Sequence, residues 1–214
     1  MPKSRVPVLK VSHVKKAYGD HVIVSDFSLD VWPGDAIALT GRNGAGKSTI
    51  LRCLVGAEAP DDGTIEINGE TLRESNPVVR RALATVIDDL DFFPDLSVVE
   101  HLDLLARAHG LPDPDRAVDA ILSEVSLVAQ SGQLPGTLSS GQRRRLALAT
   151  AFVRPRQVLV LDEPEQRLDV EGVTWLAERL LEERKQGLAI VMASHEPRLV
   201  DAVATHTVHV GEQR

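Results

Sequence analysis

Two segments near the N-terminus alternate between apolar and polar residues, at residues 6–14 and 21–31, with Gly19-Asp20 between them. This alternation is typical of strands that bury one face, so it predicts an antiparallel pair. A third strand is predicted at Thr64–Ile67, because Asn68-Gly69, a strong turn signal, follows it. These segments together predict an antiparallel β lobe.

Other strands are predicted from continuous apolar runs, which are typical of parallel strands covered on both faces. The runs lie at residues 36–40, 84–87, 158–161 and 188–193, with a last strand at 207–210. Helical periodicity is found between them at residues 47–55, 142–152 and 170–185. This alternation of strands and helices predicts an α/β fold with a mostly parallel sheet.

One stretch, from about residue 89 to residue 140, predicts helices and no strand. Ser97 and Glu100 have the spacing of a capping box ahead of an apolar helical face, and Asp113 precedes a proline suited to a first helical turn. The second of these helices is predicted to carry its apolar face as far as Val128. We interpret the stretch as a small helical lobe inserted in the core.

These elements predict a single domain over residues 1–214. Residues 6–88 and 141–214 would form the β lobe and the α/β core, and residues 89–140 the inserted helical lobe. No internal repeat or low-complexity tract divides the chain further.

Composition excludes several classes of protein. The formal net charge is -7 with a pI near 5.5, which disfavours nucleic acid as a partner. The one dense basic run, Arg143 to Arg145, is interpreted as a solvated helix face. A single cysteine, Cys53, and the lack of any run of about 18 apolar residues predict a chain that is soluble on its own in a reducing cytoplasm.

The strongest motif lies between the apolar run at 36–40 and the helix at 47–55. Glycines there let the backbone curl so that N–H groups point at phosphate oxygens, and the helix N-terminus adds positive charge. Lys47 is predicted to reach the β- and γ-phosphates of ATP, and the Ser48 hydroxyl to bind Mg²⁺. The motif matches the Walker A pattern in full and reads Gly41-Arg42-Asn43-Gly44-Ala45-Gly46-Lys47-Ser48-Thr49.

Two adjacent carboxylates, Asp162 and Glu163, follow the apolar run at 158–161, as in the Walker B pattern. Asp162 is predicted to hold Mg²⁺, directly or through water. Glu163 is predicted to orient and deprotonate the attacking water. Two acids are expected because the two roles differ.

The segment Leu138-Ser139-Ser140-Gly141-Gln142, just ahead of Walker B, resembles the ABC signature. With both Walker motifs, it makes the chain from Val8 to Val210 resemble a nucleotide-binding subunit of the ABC transporter family, with a P-loop NTPase core. Ser139 and Gln142 also have capping-box spacing, which would aim helix amides outward at an anion. The resemblance implies a head-to-tail dimer in which Ser139, Gly141 and Gln142 of one subunit contact the ATP held by the other.

The resemblance also implies roles for three further residues. Tyr18 stands where the family places an aromatic that stacks on adenine, although a lone tyrosine at a hairpin is the open alternative. His195 follows a buried strand, where the family has a histidine that touches the γ-phosphate. Asp169 matches the end of the D-loop, through which the family communicates across the dimer.

The sequence departs from the family at two places. The usual glutamine of the Q-loop falls on Asp88, which can still accept water and contribute to Mg²⁺ binding but has a shorter reach. Glu165-Gln166-Arg167 replaces the small residues that usually precede the end of the D-loop. Arg167 is expected either to meet an acid across the dimer, to splay one site, or to lie in solvent.

The resemblance implies an ATPase subunit that energises a separate integral membrane transporter, with export preferred to import. It would then lie at the cytoplasmic face of the membrane through that partner. Two alternatives stay open: a soluble ABC ATPase that acts on DNA or ribosomes, and a slow-hydrolysing module that dimerises on ATP. The transported substrate lies outside what this sequence predicts.

Overall fold

The structure, a computed structural model, describes residues 6–73, 75–87 and 91–211. Its strands are β1 (Leu9–Tyr18), β2 (His21–Val31), β3 (Ala36–Thr40), β4 (Asp62–Ile67), β5 (Glu70–Thr71), β6 (Leu83–Val86), β7 (Val158–Asp162), β8 (Ala189–Ala193) and β9 (His206–His209). Its α-helices are α1 (Lys47–Val55), α2 (Pro77–Ala82), α3 (Val98–Ala108), α4 (Pro114–Glu124), α5 (Ser140–Phe152), α6 (Val170–Lys185) and α7 (Pro197–Val203). Two short 3₁₀ helices, Val128–Gln130 and Pro135–Thr137, join α4 to α5.

The N-terminal strands form an antiparallel sheet in the order β2-β1-β4-β5. The predicted first strand at residues 6–14 is wrong at both ends, since β1 begins at Leu9 and continues to Tyr18. Val6 is 64% exposed. The far end was missed because register shifts between Val11 and Ala17 break the alternation while pairing with β2 continues.

A second sheet has the order β6-β7-β8-β3-β9, and its neighbouring strands pair in parallel. Alternate residues of each strand enter different cores. On β3, for example, Ala36 and Ala38 pack with the helical side, whereas Ile37 and Leu39 pack with the side of α1. Burial on both faces explains the continuous apolar runs, and the predicted α/β fold with a mostly parallel sheet and an antiparallel lobe is confirmed.

Two hydrophobic cores flank the parallel sheet. One packs side chains of α3, α4, α5, α6 and α7 against it. The other packs α1 between the parallel and antiparallel sheets, and includes the fully buried Cys53. Helix α1 therefore contacts both sheets, and these contacts fix the position of its N-terminus.

Between β6 and β7, the described residues 91–152 contain helices and loops but no strand. The prediction that α4 continues to Val128 is wrong, because Ser126 has a φ of 60° and the helix ends at Glu124. Val128 is 59% exposed in a 3₁₀ turn. The boundaries of the inserted lobe at residues 89 and 140 stay a prediction.

Three short elements, β5, α2 and α7, were not predicted. Helices α2 and α7 each begin with a proline after a capping residue, Asn76 and Glu196, but are too short to show a helical period. Within the described ranges, no helix combines the length and the apolar character that a membrane crossing requires.

Candidate functional site

The Walker A loop joins β3 to α1 and depends on backbone conformations that favour glycine. Gly41, Gly44 and Gly46 have φ values of 137°, 80° and 98°. A Cβ atom at Gly41 would lie 2.3 Å from the carbonyl oxygen of Val210, and one at Gly46 would lie 2.9 Å from Ile23 Cγ2. All three positions therefore favour glycine because of their backbone conformation, and Gly41 and Gly46 also leave no room for a Cβ atom.

Lys47 is the first residue of α1 and is only 6% exposed. Its ammonium group donates to the carbonyl oxygens of Gly41 at 2.8 Å and Arg42 at 3.1 Å, so it lies folded over the loop. The first turn of α1 carries no acidic residue that would neutralise the positive end of the helix. A buried ammonium group and a helix N-terminus thus face the same loop.

A cavity of about 270 Å³ lies against this loop. Glu163 lines it together with the loop and the start of α1, while Tyr18 and the signature residues lie outside its lining. The residues that line it are Ile23, Asn43, Gly44, Gly46, Lys47, Ser48, Thr49 and Glu163.

Glu163 begins the turn after β7 in a strained conformation. Its φ is 43°, in the left-handed region that costs a residue with a Cβ about 1–2 kcal/mol. Its N–H donates to the carbonyl oxygen of Ala193 at 2.8 Å, which attaches the turn to the end of β8. The carboxylate is therefore held at the carboxyl edge of the sheet, beside the strand that leads to His195.

Arg144 stabilises this turn through hydrogen bonds to its backbone. Its guanidinium group donates to the carbonyl oxygens of Asp162 at 2.7 Å, Glu163 at 2.6 Å and Pro164 at 3.2 Å. The interpretation of Arg143 to Arg145 as one solvated face is thus wrong, since Arg144 is 8% exposed. A helical period was the missed signal, because Arg144 lies three, four and seven residues before Ala147, Leu148 and Ala151, which are also buried.

His195 follows β8, and its Nε2 atom lies 3.9 Å from Glu163 Oε1. The other carboxylate oxygen of Glu163 accepts a hydrogen bond from Gln166 Nε2 at 3.1 Å. Both side chains are partly exposed, His195 at 45% and Glu163 at 40%. The structure thus brings together the predicted base and the predicted γ-phosphate contact.

The signature segment starts α5 with a complete capping box. Ser139 Oγ accepts from the N–H of Gln142 at 3.2 Å, and Gln142 Oε1 accepts from the N–H of Ser139 at 2.9 Å. Ser139, Gly141 and Gln142 do not line the cavity beside the Walker A loop. One chain therefore presents two separate sites with amides suited to anions.

The D-loop contacts the signature helix within the same chain. Asp169 caps α6 by accepting from the N–H of Gly172 at 2.7 Å, and it accepts from Arg145 at 2.9 Å. The Gly172 hydrogen bond, with Arg145 nearby, lowers the pKa of the Asp169 carboxyl group below its usual range. A Cβ at Gly141 would lie 3.1 Å from the carbonyl oxygen of Arg167, so the two segments are in close contact.

The two remaining predicted site residues, Tyr18 and Asp88, do not line the cavity or lie outside the described residues. Tyr18 ends β1, is 49% exposed, and donates its hydroxyl hydrogen to Glu58. That hydrogen bond raises the pKa of the Tyr18 hydroxyl. Asp88, predicted as a catalytic and metal-binding residue of the Q-loop, lies outside the described residues.

Comparison with known proteins agrees with this geometry. The family model described as ABC transporter matches residues 24–166. The chain belongs to this family, and it is an ATP-binding domain of the ABC ATPase class. A solved structure, described as that of an ATP-binding subunit of an ABC transporter, has a TM-score of 0.88 at 28% identity and covers 95% of this chain and 86% of its own.

Two relatives bear on direction of transport. Nod factor export ATP-binding protein I of Cupriavidus metallidurans is 35% identical, with 93% of this chain and 66% of the relative covered. Phosphonates import ATP-binding protein PhnC 1 of Natronomonas pharaonis is 34% identical, with 97% and 91% covered. The chain thus spans just under two thirds of the first relative's length, and relatives named for export and for import are similarly close.

Proposed function

We propose that this protein hydrolyses Mg·ATP as the energising subunit of an ABC transporter. The observation that carries the proposal is the position of Glu163 on the wall of the Walker A cavity, at the end of β7 and beside His195. A base within reach of a phosphate loop is the minimum arrangement for hydrolysis.

The proposed reaction assigns one role to each group. Lys47 and the loop amides bind the phosphates, and Glu163 accepts a proton from water whose oxygen attacks the γ-phosphorus. The bond from that phosphorus to the bridging oxygen then breaks, and ADP and phosphate leave. His195 contacts the γ-phosphate, and Tyr18 stacks on adenine.

The chemistry of two of the predicted metal ligands, Ser48 and Asp162, fits Mg²⁺. Ser48 supplies a hydroxyl oxygen on the cavity wall, and Asp162 supplies a carboxylate at the end of β7. Oxygen ligands of this kind suit a small divalent cation. When bound, the ion would neutralise charge on the phosphate oxygens. The role proposed for Asp88 in this set stays a prediction.

A second copy of the chain, or a related subunit, is proposed to complete each site. The signature amides of α5 suit an anion, yet they do not line the cavity of their own chain. A head-to-tail dimer would place them against ATP held by the other subunit. ATP would then close the dimer and hydrolysis would release it.

An integral membrane protein is the proposed partner, and it would hold the subunit at the cytoplasmic face of the membrane. A groove between β6, α3 and α5 supports this proposal, since it has a volume of about 250 Å³ and exposes Phe93 at 61% and Leu104 at 46%. Exposed aromatic and aliphatic side chains of this kind suit a helix from a partner. The preference for export stays a prediction from the sequence.

Replacing the base tests the proposal. Glu163→Gln keeps the shape of the side chain but cannot take a proton, so turnover is expected to fall by about 10²- to 10⁴-fold while ATP-bound dimers accumulate. Steady-state phosphate release and light scattering with ATP measure the two effects. Glu178→Gln, an exposed acid on α6, is the matched control and should behave as wild type. Unchanged turnover in Glu163→Gln would refute the role of Glu163.

A further inference from the structure

Glu165 joins the turn after β7 to the loop that carries His195. Its Oε1 atom accepts two hydrogen bonds, from the hydroxyl of Ser194 at 2.8 Å and from the backbone N–H of His195 at 3.1 Å. Ser194 is 2% exposed, and its hydroxyl oxygen accepts in turn from the N–H of Glu196 at 3.1 Å. One carboxylate oxygen thus fixes the backbone on which the histidine is mounted.

The same turn also restrains the predicted base. Gln166 donates from its side chain to Glu163 Oε2 at 3.1 Å and from its backbone to the Glu163 carbonyl oxygen at 3.0 Å. Leu168 donates to the carbonyl oxygen of Glu165 at 3.0 Å, which closes the turn. Restraints on Glu163 and on the His195 loop therefore come from adjacent residues of one turn.

The position of His195 depends on this anchoring. Its ring is 45% exposed and lies 3.9 Å from Glu163 Oε1, beyond the length of a hydrogen bond, so that contact fixes its direction only weakly. The backbone at residues 194 and 195 therefore sets the point from which the histidine side chain extends. Misplacement of a reacting group by about 1 Å can reduce a rate by about 10²-fold.

A purely structural role explains Glu165 poorly. Its second oxygen, Oε2, is buried and has no hydrogen-bond partner among the described residues. An unsatisfied buried acceptor costs about 1–3 kcal/mol, so a neutral acceptor would make the same contacts at lower cost to stability. An unsatisfied buried polar group in a native structure calls for an explanation, and a role in catalysis is one such explanation.

We propose that Glu165 is a positioning residue for ATP hydrolysis, which anchors Ser194 and the backbone of His195 so that the histidine and Glu163 keep their relative positions. The inference rests on the roles proposed above for Glu163 and His195. It gives a specific purpose to the unusual Glu165-Gln166 pair, which the sequence alone marked only as a departure from the family.

Kinetics of two variants at the position test the proposal. Glu165→Ala removes both hydrogen bonds and is expected to lower kcat by about tenfold, while KM for ATP stays within about twofold because the Walker A loop is unchanged. Glu165→Gln retains an amide oxygen that can accept both bonds, so it should keep kcat within about twofold of wild type. Equal kcat in Glu165→Ala and wild type would overturn the proposal, and so would an equal loss in Glu165→Gln and Glu165→Ala.

A double-mutant cycle asks whether Glu165 acts through His195. The double variant Glu165→Ala/His195→Ala should have the same kcat as His195→Ala alone, because the anchored imidazole is already absent. A double variant whose fold-loss in kcat equals the product of the two single fold-losses would overturn the proposal. Ser194→Ala provides an independent route if Glu165→Ala does not fold, since it removes one bond and should lower kcat by about threefold with KM unchanged.

Two outcomes separate this inference from the function on which it rests. If His195→Ala and Glu163→Gln both leave turnover unchanged, the proposed hydrolytic roles are wrong. If both reduce turnover but neither Glu165→Ala nor Ser194→Ala changes kcat, only the anchoring role of Glu165 is wrong.

Discussion

The Walker A loop and Glu163, in the turn after β7, line the same cavity, yet different contacts hold the two segments in shape. The loop depends on glycines with positive φ and on the close approach of Val210, so its form is set by its own backbone. The turn is held by contacts with residues far away in the chain, since Arg144 donates to its carbonyl oxygens and its own Glu165 accepts from Ser194. A loop whose shape is set by its own backbone can be predicted from a short sequence motif. A turn that depends on contacts with distant residues cannot.

Gly41→Ala probes the loop and should have the largest effect. The new Cβ would meet the Val210 carbonyl oxygen at 2.3 Å at a φ of 137°, so we expect a loss of about 4 kcal/mol in the free energy of unfolding. Gly69→Ala, with a φ of 78° and nothing within 4 Å, should lose only about 1 kcal/mol. Urea denaturation measures both, and equal losses would contradict the role of Val210.

Arg144→Met probes the turn and should have an intermediate effect. Three carbonyl oxygens would lose the hydrogen bonds that Arg144 donates, so the free energy of unfolding should fall by about 2–3 kcal/mol and ATP turnover should fall with it. Its exposed neighbour provides the control, since Arg143→Met should change stability by less than about 0.5 kcal/mol. If the two variants unfold at the same denaturant concentration, Arg144 does not hold the turn.

The two capping boxes allow a finer test, with the smallest effect on stability. Ser139→Ala and Ser97→Ala each remove a helix cap, so each should lose about 1 kcal/mol of unfolding free energy. Only Ser139→Ala should also weaken ATP-driven dimerisation, because only α5 is proposed to face the nucleotide of another subunit. Dimerisation that weakens equally in both variants would assign the effect to stability alone.

Local signals determined which elements could be predicted. The bounds of β3, α1 and α6 were predicted to the residue, because Gly46 precedes α1 and Asp169 caps α6. The capping boxes at Ser97 and Ser139 were predicted and are present. In such cases the residues that set the boundary lie within a few positions of it.

The missed features depend on residues far apart in the chain. Arg144 is buried because it meets carbonyl groups 18 to 20 residues later, and Glu165 contacts Ser194 across 29 residues. The far end of β1 was missed for a related reason, since its bulges preserve pairing with β2 while they break the local alternation. The Walker, signature and histidine residues can be proposed from the sequence, and their roles stay predictions, but the contacts that orient them cannot be read from local patterns.

The position of β8 has a consequence for the growing polypeptide on the ribosome. Residues 189–193 lie between β7 and β3, so the strands that lead into the two Walker motifs are not neighbours in the sheet. A chain synthesised only as far as β7 can form the antiparallel sheet and α1, but it lacks the strand that links the halves of the parallel sheet. Pairing of β7 with β3 through β8 must wait for residues 189–193, so nucleotide cannot stabilise the assembled Walker site before β8 has been synthesised.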